Sequence, residues 1–247
     1  MVLNSKKADI SIKNGEEASD VASVSTAHEV AAFLQKANQL AQMKPHKNER
    51  GRLIFALDAT LSRQHTWDLA CHIQAEMFET VESVGGLDVQ LNYFRGFREC
   101  RSSPWVSEAA TLHNYMGRIS CRGGRTQIKK VLVNALREQA RQSVDALVFI
   151  GDAMEENLDV LCDKAGELGL LGVPMFVFQE GRDPTTERAF KEMARLSNGA
   201  YARFDQASAK HLSELLKAVA VYAAGGLKAL EASGDKLLLP QLNGEAR

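Results

Sequence analysis

Asp58, Thr60 and Ser62 place one carboxylate and two hydroxyls at alternate positions directly after a short apolar run, residues 53–57. The run is too short for a typical helix and is apolar throughout, which is typical of a strand covered on both faces of a parallel sheet. Ligands of such sheets bind just beyond the carboxyl ends of the strands. Because hard cations such as Mg²⁺ prefer oxygen ligands, the sequence predicts a metal site at the end of this strand.

Two further oxygen donors occupy comparable positions. Thr126 lies in a glycine-containing loop, residues 121–126, before a predicted helix, and Asp152 ends a second apolar run, residues 146–151. In a parallel sheet both would lie at the carboxyl edge, beside Asp58. The candidate metal ligands are therefore Asp58, Thr60, Ser62, Thr126 and Asp152.

The order and spacing of these residues resemble the metal-ion-dependent adhesion site (MIDAS) of von Willebrand factor A (VWA) domains, of the bacterial stand-alone type. The family pattern is D-x-S-x-S, then a threonine after a glycine pair, then an aspartate. Asp58, Thr60 and Ser62 match the first motif. Thr126 matches the loop threonine, and Asp152 matches the distal aspartate.

Two positions depart from the family pattern. Thr60 replaces the commoner serine, and its hydroxyl is an equivalent donor. Arg125 separates the glycine pair from Thr126, so this loop is one residue longer than in many members of the family.

The resemblance implies a bound divalent cation, Mg²⁺ in the first place, with Mn²⁺ or Ca²⁺ as alternatives because oxygen ligands suit all three. It also implies an incomplete coordination shell that an Asp or Glu of a partner protein completes. The implied function is a non-enzymatic, cation-dependent protein–protein interaction module. The alternative is an adaptor subunit of a chelatase-like or other AAA+ ATPase assembly, whose motor would be another polypeptide.

Two functions of other classes fit the sequence less well. A phosphatase of the haloacid dehalogenase type also has an aspartate after its first strand, but its D-x-D signature needs an acid where this chain has Thr60. A nucleotide-binding fold would use the glycines at 123 and 124 before a helix. The chain has neither G-x-x-x-x-G-K-[ST] nor G-x-G-x-x-G, which weakens this second alternative.

The stretch 95–130 is basic, and we expect it to border the site because it includes the glycine-containing loop. Its acids are Glu99 and Glu108. Its cations are Arg95, Arg98, Arg101, Arg118, Arg122, Arg125, Lys129 and Lys130. This excess indicates an acidic partner, and the alternative is a solvated arginine-rich surface. Phe97 and Trp105 are candidate apolar anchors for a partner, although packing within the protein is an equal alternative for Trp105.

The composition fits one α/β domain with tails: 247 residues, 45% hydrophobic, with a net charge of −1. The near-neutral charge argues against nucleic acid as a partner. No apolar run is long enough to span a membrane, and the N-terminus lacks the apolar core of a secretory signal, so we expect a cytoplasmic protein. The four cysteines form no C-x-x-C pair and are expected to be reduced.

Strands and helices alternate along the chain, which predicts a doubly wound, mostly parallel central sheet flanked by helices, an α/β fold of Rossmann-like type. The predicted strands are 52–58, 88–94, 146–152, 173–178 and 200–204, with a small edge strand or excursion in 96–106. The predicted helices are 26–43, 67–84, 107–116, 127–141, 155–168, 184–196 and 208–222.

The chain is divided into four parts. We expect a disordered N-terminal tail (1–25), an N-terminal helix and linker (26–50), the VWA domain that the resemblance implies (51–223), and a C-terminal tail (224–247). The N-terminal helix either packs on the domain or docks a partner. The C-terminal tail, with its apolar patch at 237–240, is either a mobile end or a short docking motif.

Overall fold

The computed structural model describes residues 27–43, 50–67, 86–204 and 209–225. The predicted N-terminal tail, the C-terminal tail beyond Gly225 and most of the linker lie outside the described residues, as does the predicted helix 67–84 beyond its first residue.

A six-stranded sheet in the order β3-β2-β1-β4-β5-β6 forms the centre of the described part of the chain. Five strands run parallel to their neighbours, and β3 pairs antiparallel with β2 at one edge. The strands are β1 (Gly51–Asp58), β2 (Leu87–Arg95), β3 (Glu99–Val106), β4 (Ala146–Gly151), β5 (Met175–Glu180) and β6 (Ala200–Phe204). The predicted doubly wound, mostly parallel sheet is confirmed.

Helices cover both faces of the sheet. They are α1 (Ala27–Met43), α2 (Ala109–Met116), α3 (Ile128–Arg141), α4 (Leu158–Leu170), α5 (Pro184–Leu196) and α6 (Ala209–Gly225), with a 3₁₀ helix at Leu61–Thr66. The helices α1, α2 and α6 pack on one face, and α3, α4 and α5 pack on the other. All eight residues of β1 are buried between these layers. This is why residues 53–57 of β1 are all apolar instead of alternating.

The N-terminal helix α1 packs on the domain, which is one of its two predicted roles. The Phe33 side chain is buried, and its ring centroid lies 5.7 Å from that of Phe176 and 5.3 Å from that of Phe178. Both partners lie on β5, so α1 contributes directly to the hydrophobic core on that face.

Two predicted helix starts are wrong. The helix predicted from Ser107, with that residue as its cap, begins at Ala109, and the Ser107 hydroxyl instead donates to Asp88 Oδ1 over 2.7 Å. The helix predicted from residue 155 begins at Leu158, and Asn157 caps it by accepting a hydrogen bond from the Val160 N–H.

Strand β2 is an interior strand, although its alternating sequence predicts a strand nearer an edge. Its polar residues Gln90 and Asn92 are buried because α3 covers them, and Gln90 Oε1 accepts a hydrogen bond from Asn134 Nδ2 over 2.9 Å. The edge position belongs to β3, which tolerates Pro104 there.

Among the described residues, no helix is both long enough and apolar enough to cross a membrane. Cys100, Cys121 and Cys162 are free thiols. This agrees with the expected reduced state at these three positions.

Candidate functional site

The end of β1 holds the first three candidate ligands in a hydrogen-bonded group. Asp58 is the last residue of β1 and is fully buried. Its Oδ1 accepts a hydrogen bond from the Thr60 N–H over 2.7 Å, and the Thr60 and Ser62 hydroxyl oxygens lie 3.1 Å apart. The alternate spacing therefore brings the carboxylate and both hydroxyls together, as the sequence predicts.

Asp152 follows the last residue of the neighbouring strand β4. In the pairing register Leu57 is opposite Ile150, so the ends of the two strands lie side by side. A Cβ added at Gly151 would lie 3.6 Å from the Asp58 Cβ. The same Cβ would lie 3.0 Å from the Phe149 ring, so the glycine at position 151 leaves room for that ring.

One oxygen of each of these two carboxylates lacks a hydrogen-bond partner among the described residues. Asp58 Oδ2 and Asp152 Oδ1 are buried and have no hydrogen-bond partner among the described residues. Burial, and to a smaller extent the charge of Asp152, raise the pKa of Asp58 to about 6, against the hydrogen bonds from Thr60 and the charge of Arg63. Buried carboxylates are normally paired or bound to a metal, so these two oxygens need a hydrogen-bond donor or a cation.

Arg63 is a fully buried cation beside this group that the sequence analysis missed. Its guanidinium forms an ion pair with Glu180 at the end of β5 and lies over the Phe204 ring, 5.7 Å from the centroid. Burial lowers its pKa, while the charges of Asp152 and Asp58 act in the opposite direction. Arg63 is thus shared between Glu180 and the two aspartates, so that one buried cation faces three carboxylates and an excess of negative charge remains.

Thr126 is buried at the start of α3 and is held by the loop that follows Asp152. The Glu155 carboxylate accepts a hydrogen bond from the Thr126 N–H, and the Glu155 N–H donates to Thr126 Oγ1, each over 3.0 Å. Thr126 is thus attached to the segment that carries Asp152. Its hydroxyl keeps its own proton and one lone pair for a further contact.

The acids predicted to begin the next helix act instead on α3. Glu156 accepts hydrogen bonds from the backbone N–H groups of Ile128 and Lys129, where the helix dipole favours a negative charge. This acid occupies the helix N-terminus that a nucleotide-binding fold would offer to phosphate. Nothing in the types of Glu155 and Glu156 signals this long-range role, because acids also suit the start of their own helix.

The donor types suit a hard divalent cation: two carboxylates with unpaired buried oxygens, the hydroxyls of Thr60 and Ser62 after β1, and the hydroxyl of Thr126 just before α3. Among the described residues, no group of three or more His, Cys, Asp or Glu side chains is arranged to hold a metal ion. The candidate site therefore depends on hydroxyl oxygens as much as on carboxylates.

Some cations of the basic stretch 95–130 are paired with Glu99, and others form no ion pair with any described residue. Glu99 accepts two hydrogen bonds from Arg95 and forms salt bridges of 3.0 Å with Arg101 and 3.9 Å with Arg122. Five exposed cations form no ion pair with any described residue: Arg98, Arg118, Arg125, Lys129 and Lys130. An excess of positive charge therefore remains along this part of the surface.

Two apolar side chains are exposed in the loops at this edge. Leu61, between Thr60 and Ser62, is 61% exposed, and Phe97, in the turn between β2 and β3, is 74% exposed. Trp105 is packed instead: its indole N–H donates to Glu138 Oε2, and the Arg52 guanidinium lies 3.8 Å from the ring centroid. Of the two predicted anchors, Phe97 alone is available to a partner.

No protein-family model matches the chain. No curated protein matches it.

Solved structures resemble the described fold at low sequence identity. An aerotolerance-related membrane protein from Bacteroides fragilis is 18% identical, with a TM-score of 0.53, over 67% of this chain and 98% of its own. A von Willebrand factor type A protein from Catenulispora acidiphila is 13% identical, with a TM-score of 0.57, over 71% of this chain and 43% of its own. Proximal thread matrix protein 1 from the mussel byssus, in a structure with a zinc-occupied MIDAS motif, is 16% identical, with a TM-score of 0.54, over 74% of this chain and 46% of its own.

The chain thus spans less than half of the second and third of these proteins. At such identities the likeness concerns the arrangement of helices and strands alone. The chain has the α/β fold of von Willebrand factor A domains.

Proposed function

We propose that this protein is a non-enzymatic interaction module that binds a divalent cation, Mg²⁺ in the first place, and uses it to capture an acidic residue of a partner protein. Asp58, Thr60, Ser62, Thr126 and Asp152 would hold the cation, as in a MIDAS. The observation that carries the proposal is the pair of buried oxygens, Asp58 Oδ2 and Asp152 Oδ1, that have no partner among the described residues.

Each residue has a distinct task in this proposal. The carboxylates of Asp58 and Asp152 would balance the charge of the cation, whereas the hydroxyls of Thr60, Ser62 and Thr126 are neutral donors. A bound Mg²⁺ would supply a strong, directional contact to a carboxylate. The Thr60 N–H fixes the Asp58 carboxylate, and Glu155 fixes Thr126, so these donors are held in place before the cation arrives.

The surroundings support an acidic partner. The unpaired cations of the stretch 95–130 would attract negative charge and speed association. Leu61 and Phe97 are exposed beside the candidate site and would give the partner apolar contacts. The adaptor role in an AAA+ ATPase assembly and the cytoplasmic location both stay predictions.

Titration calorimetry with Mg²⁺ and Mn²⁺ tests the cation. We expect wild-type protein to bind one ion, and Asp58→Ala to lose this binding. The matched control is Asp163→Ala, which removes a carboxylate from the surface of α4, where that side chain is 72% exposed. If wild type and Asp58→Ala respond alike to both metals, the protein has no cation site at Asp58.

Retention of proteins from the native host on the immobilised chain tests the capture step. We expect at least one host protein to be retained with Mg²⁺ and released by a chelator. It should be absent from the Asp58→Ala material but present with Asp163→Ala. A set of retained proteins that depends neither on Mg²⁺ nor on Asp58 would contradict the proposed function.

A further inference from the structure

A second cleft lies beside the candidate cation site, between α3 and the strands β2 and β3. It has a volume of about 450 Å³ and is open to solvent along α3. Its polar lining includes Asn92, Ser102, Lys129, Lys130, Asn134 and Arg137. Because Lys129 comes three residues after Thr126, the cleft begins next to the candidate ligands and continues away from them.

The cleft is positively charged. Lys129 and Lys130 form no ion pair with any described residue, and Lys130 Nζ donates to two neutral acceptors, the Arg98 carbonyl and Gln127 Oε1. Arg137 lies 4.0 Å from a Glu138 oxygen, but Glu138 also binds Arg141 and the Trp105 indole. These cations leave a net positive charge.

An acid at the start of α3, Glu156, is already engaged, and the lining residue Cys100 is neutral. Glu156 accepts from the backbone of Ile128 and Lys129. Cys100, a lining residue of the floor, has a pKa raised to about 11 because it is buried, so it stays a neutral thiol. One negative charge at Glu156 does not cancel the three cations.

The hydrogen-bond acceptors of the floor are used internally, while donors remain. Asn92 Oδ1 accepts from the Cys100 thiol, and Asn134 Oδ1 accepts from Arg137. Ser102 Oγ accepts from Asn92 Nδ2, so the Ser102 proton is left to donate outward. A lining of cations and free donors complements a ligand that consists of acceptors, such as a carboxylate.

The shape of the cleft favours a peptide segment as occupant. Small-molecule pockets enclose most of their ligand, whereas this cleft is open to solvent and has three cations in its lining, Lys129, Lys130 and Arg137. From Lys129 to Arg137 the helix rises by about 12 Å, which an extended chain spans with about four residues. Two acids about four residues apart could therefore meet both ends of the cleft.

We propose that this cleft binds an acidic segment of the partner protein, so that the partner is held at two places, by the bound cation and by the basic groove of α3. The idea of a common partner rests on the function proposed above. The charge of the cleft does not depend on a metal, so its binding should persist without one.

A fluorescent peptide of ten glutamates is a suitable probe, with fluorescence anisotropy as the readout. The test variant is the double substitution Lys129→Gln/Lys130→Gln, and Arg137→Gln probes the far end of the cleft. The matched control is Lys164→Gln/Lys191→Gln, which removes the same charge from α4 and α5. Equal thermal midpoints for the two double variants would show that a difference in their peptide binding does not come from a difference in folding stability.

With chelator present, we expect the Lys129→Gln/Lys130→Gln protein to bind the peptide about fivefold to tenfold more weakly than the control protein, since each surface charge pair contributes modestly. With Mg²⁺, we expect a further gain in affinity that Asp58→Ala loses and the cleft variant keeps. If the Lys129→Gln/Lys130→Gln protein binds more weakly but Mg²⁺ does not increase the affinity of the wild type, the proposed function is contradicted and the cleft site is still supported.

Equal weakening in both double variants would show non-specific attraction and overturn the cleft site, as would a wild-type protein that does not bind the peptide. Displacement of the peptide by inorganic phosphate, but not by chloride at equal ionic strength, would assign the cleft to a free anion. That result would also overturn the proposal.

Discussion

At the scale of single residues, the candidate site is a problem of charge balance. Asp58 and Asp152 bring two negative charges to one edge of the sheet, and the charge of Arg63 is shared with Glu180. The fully buried Asp58 has one satisfied and one unsatisfied oxygen. Such a group destabilises a protein unless a cation compensates it.

The first prediction concerns the stability of the cation-free protein. The pKa of Asp58 is about 6 when folded, against 3.8 ordinarily, so between these pH values the folded state binds more protons than the unfolded state. Stability contributed at this position therefore falls as pH rises through that window, in total by about 3 kcal/mol. In chelator at pH 7.5, Asp58→Asn should raise the thermal midpoint, and its advantage over wild type should shrink towards pH 4.

Asp163→Asn is the matched control, since that side chain is exposed on α4. It should shift the midpoint little at either pH. If Asp58→Asn is less stable than wild type by the same amount at both pH values, the buried charge of Asp58 does not destabilise the folded protein.

The second prediction concerns Asp152. It follows the end of β4 rather than lying within it, so Asp152→Ala should remain folded while losing the cation. Circular dichroism together with Mg²⁺ calorimetry checks both points. A variant that unfolds outright would assign Asp152 a structural role instead.

At the scale of elements, two loops are joined across the site. Glu155 and Glu156, after β4, hold the start of α3 and the backbone and hydroxyl of Thr126. Gly124 also lies against the turn at Gly96, where an added Cβ would lie 2.0 Å from the Gly96 carbonyl oxygen. The longer loop created by Arg125 is therefore fixed on two sides.

The third prediction tests this connection. Glu155→Ala removes the acceptor of the Thr126 N–H, so cation affinity should fall severalfold, and unfolding free energy by about 1 kcal/mol. Calorimetry and urea unfolding are the measurements. The control Glu167→Ala removes an acid whose side chain pairs with the surface residue Lys164, and it should leave cation affinity unchanged. Equal affinity in both variants would show that Thr126 needs no support from Glu155.

Local sequence signals predict the elements well and the contacts between them poorly. The start of α5 is correctly predicted at residue 184, because the signals of a helix start, the capping Asp183 and Pro184 at the first position, are adjacent in sequence. Ser107 has an equally good cap signal, but a partner distant in sequence, Asp88, takes its hydroxyl. The same limit explains Glu156, whose partners lie 28 and 27 residues away.

In the candidate site, too, the residues close in sequence are predictable and the contacts between distant residues are not. The group Asp58, Thr60 and Ser62 is predictable because its spacing is local and the strand before it is apolar. Arg63 was missed because arginine is rarely buried, and the need for it arises from Glu180, far along the chain. Only the folded chain shows that Arg63 lies between Glu180 and the two aspartates.

At the scale of the whole molecule, two layers of helices enclose the sheet and leave its carboxyl edge for the site. The helix α1 belongs to one layer through Phe33, on the side of the sheet opposite α3. We therefore expect α1 to contribute to stability without influence on the cation.

The fourth prediction follows from this position. Phe33→Ala should lower the free energy of unfolding by about 3 kcal/mol, because the ring is buried against Phe176 and Phe178. Met43 lies at the end of the same helix and is 80% exposed, so Met43→Ala should lower the free energy of unfolding only slightly. Urea unfolding measures both, and Mg²⁺ affinity should be unchanged in both. A small cost for Phe33→Ala would mean that α1 is only loosely attached in solution.

The presence of a cation between Asp58 and Asp152 is tested most directly by diffraction from crystals soaked in Mn²⁺, using anomalous scattering. We expect one strong peak at about 2.2 Å from oxygens of Asp58, Thr60 or Ser62, with Asp152 bound directly or through water. A well-ordered site without an anomalous peak, or a peak bound by other residues, would contradict the cation site on which the proposed function depends.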